Sequence, residues 1–260
     1  MLWTLVDPNR GHEVAYNRWY ERDHFYGGVM TGPGTLAGAR WVATRPYKDL
    51  RFPAGVDPAL AVAEPLDAGS YLATYFIAAD QIAEHFAWAN AEVFKLYEAG
   101  RGFDERTHAH TALYTHQRSH ARDVDGVPVE LALDHRFGGL VSIHVDRAED
   151  VKHRQLDDWL ASDGRGLLLG ADSPVAIVST WRPIIPRGDE GASPMKLGSG
   201  PGTTARSLLV AFCDADAAGN WDAFRRFGAA LDATGLATVR LSAPFIPTIV
   251  GTDTYTDQLW

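Results

Sequence analysis

The chain has 260 residues, a formal net charge of −9, 46% apolar residues and 22% charged residues. These values are ordinary for a globular protein with a full core. The acidic balance, with no basic run to offset it, argues against nucleic acid or an anionic membrane surface as a partner. Cys213 is the only cysteine, which excludes an internal disulfide and is typical of a reducing compartment. Neither a signal peptide nor an apolar run of membrane-span length is present. We therefore expect a cytoplasmic protein that binds neither nucleic acid nor membrane.

The first half of the chain alternates apolar runs with amphipathic stretches. A strand at residues 2–6 ends at the turn signal Asp7-Pro8-Asn9, and an amphipathic helix then runs until it stops at Gly27 and Gly28. The remaining predicted elements are a strand at 39–44, a long loop at 45–69, a strand at 71–78, a helix at 81–99 and a strand at 107–116. The predicted order of elements is β-α-β-β-α-β.

The second half repeats this order after a polar connector at residues 123–136. The predicted elements are a strand at 139–145, a helix at 149–160, a strand at 175–181, a loop at 183–203, a strand at 205–212, a helix at 220–233 and a strand at 237–242. In both halves the long loop lies between the second and third strands. This agreement indicates a repeat of pattern, although the two halves share little sequence.

Two β-α-β-β-α-β units in tandem predict an α+β fold made of two ferredoxin-like units, residues 1–122 and 137–260. Each unit is expected to be a four-stranded antiparallel sheet with two helices on one face. The uncovered faces must be buried, and packing them sheet to sheet gives an α+β barrel with a cavity between the sheets.

The first helix carries an unusual stripe. Tyr16, Tyr20 and His24 recur at four-residue intervals and share one face, with Trp19 and Asp23 on a neighbouring face. A helix that only covers a sheet would carry aliphatic residues there. Because histidine titrates near neutral pH, this stripe is the best candidate for chemistry in the chain.

The segment NRWYERDHFYGGVMTGPGTLAGARW resembles the first helix and following strand of the dimeric α+β barrel superfamily, in its EthD-type and polyketide-cyclase-type branch. The residues that carry the resemblance are Asn17, Trp19, Tyr20, Asp23, His24, Pro33, Gly34, Arg40 and Trp41. The resemblance implies a tandem duplication in one chain and a site in the N-terminal half. The matching helix of the second half has no acid–histidine pair in that position, so this half is expected to serve mainly as a wall.

A histidine-rich strand is the second candidate. Period-two alternation is expected to place His108, His110, Tyr114 and His116 on one face, where they would line the cavity and contact substrate. His108 and His110 could alternatively share a metal ion with a third ligand from elsewhere. Further predicted substrate contacts are Tyr16, Trp19, Arg40, Tyr75 and His85, although packing is the more frequent role of such aromatic residues.

Together these residues predict a cofactor-independent lyase, cyclase or isomerase that acts on a small aromatic or polyketide-like substrate in the barrel cavity. His24 would be the general base, with Asp23 its neighbour. Tyr20, or a histidine of the 108–116 strand, would donate a hydrogen bond to a developing oxyanion. The sequence has no dinucleotide fingerprint, phosphate loop or nucleophile elbow, and we expect no cofactor and no metal. Two alternatives stay open, a metal- or haem-dependent oxidoreductase or monooxygenase, and a non-catalytic small-molecule-binding accessory protein. An exposed barrel edge could also pair two chains into a homodimer.

Overall fold

The computed structural model describes residues 1–184 and 204–260. Within them, eight strands form one closed barrel in the order β1-β3-β2-β8-β5-β7-β6-β4. The strands are β1 Leu2–Pro8, β2 Thr35–Val42, β3 Tyr71–Ile77, β4 Arg106–Ala121, β5 Gly139–Arg147, β6 Val175–Pro183, β7 Arg206–Cys213 and β8 Ala237–Pro247. The predicted fold class is confirmed.

Six α-helices lie between strands in the described part of the sequence. They are α1 Glu13–Trp19, α2 Arg45–Asp49, α3 Ile82–Glu98, α4 His153–Trp159, α5 Arg165–Leu168 and α6 Trp221–Ala233. Two π-helical turns, Tyr20–His24 and Tyr26–Met30, extend α1, and one, Leu160–Gly164, extends α4. Each π turn adds a residue to the turn and so changes which side chains face the sheet.

The strand order places each half as one four-stranded sheet. In the first half the order is β4-β1-β3-β2, and in the second it is β8-β5-β7-β6, the same order of corresponding strands. The halves join at two seams. At one seam β2 pairs with β8, with Trp41 opposite Pro247, and at the other β4 pairs with β6, with Tyr114 opposite Pro183. Both edge strands of each sheet pair with an edge strand of the other sheet, so these eight strands leave no free edge.

The barrel interior is filled by large side chains from both halves. Trp3, Trp41, Phe212 and Phe245 are each at most 3% exposed and belong to one apolar cluster inside the barrel. An eight-stranded barrel has an interior about wide enough for side chains to fill.

The aromatic stripe of α1 lies outside the barrel, which corrects the sequence prediction. Tyr16 and Tyr20 pack with Tyr71, Ala73 and Tyr75 in a separate cluster on the outer face of the first sheet. A corresponding cluster covers the outer face of the second sheet beneath α4 and α6. The physical reason is that helices cover the faces of the sheets that point away from the barrel axis, so a helix stripe cannot line the space between the sheets.

A β-bulge in β4 breaks the expected alternation of histidines. Leu5 is opposite His110 while the next residue, Val6, is opposite His108, so Ala109 is the extra residue. Leu5 belongs to the interior cluster and Val6 to the outer one. His110 therefore faces the interior and His108 the outer face, because opposite residues in an antiparallel pair point to the same side. The two histidines cannot share a metal ion.

The predicted element boundaries differ in a few places. The first helix continues to Met30 instead of stopping at Gly27, and the predicted loop at 45–69 contains the short helix α2. The second-half helix begins at His153, later than predicted, and β8 extends to Pro247. The predicted loop at 183–203 lies almost entirely outside the described residues. Among the described residues, every helix is too short or too polar to cross a lipid bilayer.

Candidate functional site

The candidate site lies between α1 with its π turns and the outer face of the first sheet. We call it the helix–sheet site, and its members are Tyr16, Trp19, Tyr20, His24, Arg40, Tyr71, Tyr75, Arg106 and His108. The first π turn accounts for its geometry, because the Phe25 amide donates to the carbonyl of Tyr20 and widens the helix there. Such turns occur frequently at functional sites.

Tyrosines form the floor of the helix–sheet site. The hydroxyl oxygens of Tyr20 and Tyr75 are 2.9 Å apart and both side chains are buried. Tyr71 is 2% exposed, and no described residue forms a hydrogen bond with its buried hydroxyl. Burial raises the pKa of Tyr71 to about 12, so this hydroxyl keeps its proton and is available as a donor.

Arg40 lies beneath the helix with its guanidinium between two tyrosine rings. Its Cζ is 4.5 Å from the centre of the Tyr20 ring and 5.0 Å from that of Tyr71. Nη1 donates to Asn17 Oδ1 at 2.9 Å and to Glu21 Oε1 at 3.1 Å. Nη2 is buried and has no hydrogen-bond partner within residues 1–184 and 204–260. A buried guanidinium nitrogen without an acceptor is costly, so this side of Arg40 is suited to an acceptor from a ligand.

His24 lies at the half-buried mouth of the site. Its ring stacks on Trp19 with centroids 4.5 Å apart and meets the Tyr20 ring edge-on at 5.2 Å. Gly28, one turn on, makes room for it, because a Cβ there would lie 2.5 Å from His24 Nδ1. Burial lowers the pKa of His24 to about 3, and the Arg106 guanidinium adds to this lowering. His24 is therefore neutral at physiological pH and can accept a proton or a hydrogen bond.

Arg106 and His108 close the other side of the site. The Arg106 guanidinium carbon is 4.8 Å from the centre of the Trp19 ring, and its Nε donates to His108 Nε2 at 3.3 Å. Since a guanidinium only donates, the proton of neutral His108 is on Nδ1, which is 2.7 Å from Thr111 Oγ1. Arg106 Nη1 is buried and has no hydrogen-bond partner in the described part of the chain. The site thus has a second guanidinium with an unsatisfied donor.

Two acidic residues of the first π turn, Glu21 and Asp23, have positioning contacts. Asp23 forms an ion pair with Arg101, with Nε to Oδ2 at 2.9 Å, and makes no hydrogen bond to His24. Glu21 bridges Arg40 and the backbone amide of Gly251, which donates to Oε2 at 2.9 Å. The segment after β8 therefore crosses from the second half and holds α1 in place.

The other predicted site residues lie elsewhere. His85 on α3 contacts the carbonyl of Pro33 at 3.0 Å and is a turn-anchoring residue. His110 and Tyr114 are inside the barrel, with His110 Nε2 and Tyr114 Oη 2.8 Å apart. His116 is exposed and lies beside Trp181. The structure therefore brings together Tyr16, Trp19, Tyr20, His24, Arg40, Tyr75 and His108, and separates His85, His110, Tyr114 and His116 from them.

Three residues of this region were not predicted in their observed roles. Tyr71 was not among the predicted site residues, and the role of Asn17 as a partner of Arg40 was not expected. Arg106 begins β4 two residues before His108, and no pattern marked it. The alternation of Tyr71, Ala73 and Tyr75 in a strand otherwise rich in aliphatic residues was the available signal.

Metal ligation finds no support in the described residues, where no group of three or more histidine, cysteine, aspartate or glutamate side chains could hold an ion. Comparison with known proteins found no matching family model and no matching curated protein.

Solved structures do match. An anthrone oxidase-like protein is 12% identical, with 97% of this chain and 93% of that chain covered and a TM-score of 0.51. A chlorite dismutase-like protein is 9% identical, with 100% and 97% covered and a TM-score of 0.52. A variant of Rhodococcus jostii RHA1 DypB in complex with haem is 9% identical, with 100% and 95% covered and a TM-score of 0.50. The fold is the ferredoxin-like α+β barrel. At these identities the likeness extends to the fold and singles out no EthD-type branch.

The predicted lyase or cyclase activity was wrong. The proteins named above are an oxidase-like protein, a chlorite dismutase-like protein and a haem complex, and none of these three is named as a lyase or a cyclase.

The haem of the DypB complex prompts a test of fit. Haem needs an axial ligand with a free coordinating atom and an apolar slot for the macrocycle. Beneath α4 and α6 the second sheet is covered by Leu160, Phe224 and Phe227, each at most 3% exposed. In the helix–sheet site both ring nitrogens of His108 have partners, and His24 lies face to face with Trp19. Neither the region beneath α4 and α6 nor the helix–sheet site fits a haem.

Proposed function

We propose that the chain is an oxidoreductase that oxidises a flat hydroxyaromatic molecule with O₂ at the helix–sheet site. The observation that carries the proposal is the set of unsatisfied buried donors, Arg40 Nη2, Arg106 Nη1 and the Tyr71 hydroxyl, in a site walled by aromatic rings. Aromatic walls favour a flat substrate, and converging donors favour one that becomes an oxyanion.

Deprotonation of the substrate is the first proposed step. His24 is neutral and lies at the mouth of the site, so it can take a proton from a phenol or an activated methylene. The positive charges that lower the pKa of His24 also lower the pKa of a substrate placed beside them. The resulting anion would accept hydrogen bonds from the arginines and from Tyr71. Hydrogen bonds to a charged acceptor are about twice as strong as neutral ones.

Reaction of the electron-rich anion with O₂ is the second proposed step. For an activated methylene the overall change is R₂CH₂ + O₂ → R₂C=O + H₂O. One oxygen atom enters the product and the other leaves as water, so O₂ is the sole oxidant and no separate reductant is consumed. The contribution of the protein is to bind the planar ring beside Trp19, hold the oxyanion and accept the proton.

The choice of test substrate follows from the name of one structural neighbour. An anthrone is a flat tricyclic molecule whose methylene group lies between two aromatic rings opposite a carbonyl. Its enolised form has the acidic hydroxyl that Arg40 and Tyr71 are suited to receive. We expect turnover of a hydroxylated anthrone to the quinone.

Oxygen consumption with this substrate, followed by mass spectrometry of the product in ¹⁸O₂, tests the proposal. One ¹⁸O atom in the quinone and oxygen uptake equal to product are expected. Absence of oxygen uptake with hydroxylated anthrones and related activated methylenes would count against the proposal. An absorbance spectrum and metal analysis of the active protein test the rival reading, since activity proportional to bound haem or metal would contradict a reaction carried by this chain's side chains.

A further inference from the structure

A second cluster of basic side chains lies on the outer face of the second half, remote in sequence from the helix–sheet site. We call it the arginine cluster, and its members are Arg147, His153, Arg182 and Ser207. Val145 is opposite Ser207, and Trp181 is opposite Leu208, so the end of β5, the start of β7 and the end of β6 meet here. His153, the first residue of α4, contacts Ser207 with Nδ1 and Oγ 3.1 Å apart. Strand ends and helix thus converge on one spot.

The guanidinium groups of the cluster have unsatisfied donors. Among the residues that the structure describes, the buried Nε atoms of Arg147 and Arg182 have no hydrogen-bond partner. The other two guanidinium nitrogens of Arg147 donate to the carbonyls of Val151 and Thr204, the latter at 3.1 Å. Within residues 1–184 and 204–260, neither arginine forms an ion pair with a carboxylate.

This arrangement is unfavourable for the protein alone. Two like charges lie close enough that the Arg182 charge lowers the pKa of Arg147, after the larger effect of burial. Burial and the charges of both arginines lower the pKa of His153 to about 4. The net charge of the chain is −9, yet the described residues place no carboxylate in an ion pair with either arginine. A bound anion would satisfy the donors and remove the repulsion.

We propose that the arginine cluster binds the oxyanion group of a small ligand, a phosphate or a carboxylate. Guanidinium groups present planar pairs of donors that match the oxygens of both groups. The Ser207 hydroxyl and the His153 ring supply further polar contacts on the helix side. The site is independent of the proposed oxidation, because its residues belong to the other half.

Isothermal titration calorimetry of the full chain with inorganic phosphate, and separately with acetate, tests the proposal. Chloride at matched ionic strength is present throughout, so that a general salt effect cancels. Saturable binding of one equivalent is expected. Tighter binding of phosphate indicates a phosphate ligand, and tighter binding of acetate a carboxylate. Absence of saturable binding of either anion would overturn the proposal.

Variants locate the binding. Arg182→Gln is expected to weaken binding by about tenfold or more, since one charge-assisted hydrogen bond is worth roughly that factor. Arg147→Gln is the second variant, used with the same expectation if Arg182→Gln does not fold. Arg154→Gln is the matched control. Arg154 follows His153 on α4, and its side chain is 87% exposed. Equal weakening by Arg154→Gln, or unchanged binding in the folded cluster variants, would contradict this location.

Discussion

The two halves use the same backbone device for different purposes. In each, a seven-residue α-helix is followed directly by a five-residue π turn, α1 with Tyr20–His24 and α4 with Leu160–Gly164. In each, a tryptophan is the last residue before the π turn. The turn is therefore a property of how this helix fits over the sheet, and the π turn by itself does not identify a functional site.

Side chains at matching positions make the difference. The fourth helix residue is Tyr16 in one half and Leu156 in the other, and the first residue of the π turn is Tyr20 or Leu160. Beneath them β3 presents tyrosines, whereas β7 presents Leu209 and Ala211 to the cluster under α4 and α6. The second half fills this space with an aliphatic core, and the first fills it with hydroxyl and guanidinium groups.

One hydrogen bond recurs in both halves. Asn17, the fifth residue of α1, accepts from Arg40 at 2.9 Å, and Asp157, the fifth residue of α4, accepts from Thr180 at 3.2 Å. The second and sixth strands thus tie down their helices in the same way. The arginine adds a longer side chain with a free donor, whereas the threonine adds nothing beyond the tie.

The largest expected effect is a loss of activity when the imidazole of His24 is removed. The second half has no imidazole at the matching position. The last residue of the π turn is His24 in the first half and Gly164 in the second. His24→Ala should lower kcat for anthrone oxidation roughly 10²–10⁴-fold, the range expected for loss of a general base. The melting temperature should change little because the ring is half-buried at the mouth. Steady-state oxygen uptake and thermal unfolding measure the two quantities.

The control for this variant is His135→Ala, which removes an exposed histidine from the connector. It should keep full activity. Full activity in His24→Ala as well would exclude His24 as the base, and a large fall in the melting temperature would indicate a structural role instead.

A smaller effect on kcat/KM is expected when Arg40 is replaced by lysine, which keeps the positive charge. Arg40→Lys removes the planar fork, so the ion pair with Glu21 survives while the free Nη2 donor is lost. We expect kcat/KM to fall about 10–100-fold, in line with the loss of one charge-assisted hydrogen bond. The matched change in the second half, Thr180→Val, breaks the bond to Asp157 and should leave kcat/KM unchanged. Equal losses in the two variants would mean that helix placement, and not the donor, is what matters.

The sequence was sufficient for the fold because the fold depends on patterns. Apolar runs of strand length, helices between them and a long loop in the same place in both halves predicted two ferredoxin-like units, and the barrel is built from them. Strand length and helix periodicity are local properties, and one face of each element must be apolar. The stripe of Tyr16, Tyr20 and His24 was also correctly predicted to share one helix face, since these residues lie together in the site.

What the sequence did not specify was the side on which that stripe lies. A sheet has two faces, and the residue pattern of α1 is compatible with either. The histidine strand failed for a different reason, because one extra residue, Ala109, reverses the side of everything before it. The bulge turns Arg106 toward the site, where it contacts the ring of Trp19. This contact joins residues far apart in the chain, so the local sequence pattern does not predict it.

A moderate effect on stability is expected in acid. The pKa of His24 is about 3 in the folded protein, below the ordinary value of about 6.5. Below pH 6.5 the unfolded chain binds a proton that the folded chain does not, so the free energy of unfolding falls as the pH drops toward 3. For His24 this amounts to about 2 kcal/mol between pH 6.5 and 4.5. Urea unfolding measures the free energy of unfolding at each pH in this range. That free energy should fall less steeply with decreasing pH in His24→Gln than in the natural chain.

His108 and His153, with pKa values lowered to about 4 by burial and nearby arginines, add to the same trend in the two halves. His135→Gln serves as the control, because it removes an exposed histidine of the connector. A pH dependence that is identical in His24→Gln and His135→Gln would show that His24 is freely protonated in the folded chain.

The smallest expected effect is a change in the free energy of unfolding when a tyrosine of the site's floor is made apolar, like the matching leucine of the other half. Tyr20→Phe removes one of two hydroxyls that lie 2.9 Å apart and leaves Tyr75 buried without that partner. The unfolding free energy should fall by about 1–2 kcal/mol, the cost of a buried unsatisfied polar group. The double variant Tyr20→Phe with Tyr75→Phe should recover part of this loss, because both members of the pair are then apolar, as Leu160 is in the second half. If the two single losses simply add in the double variant, the hydroxyls do not interact, and the floor of the site is held by ring packing alone.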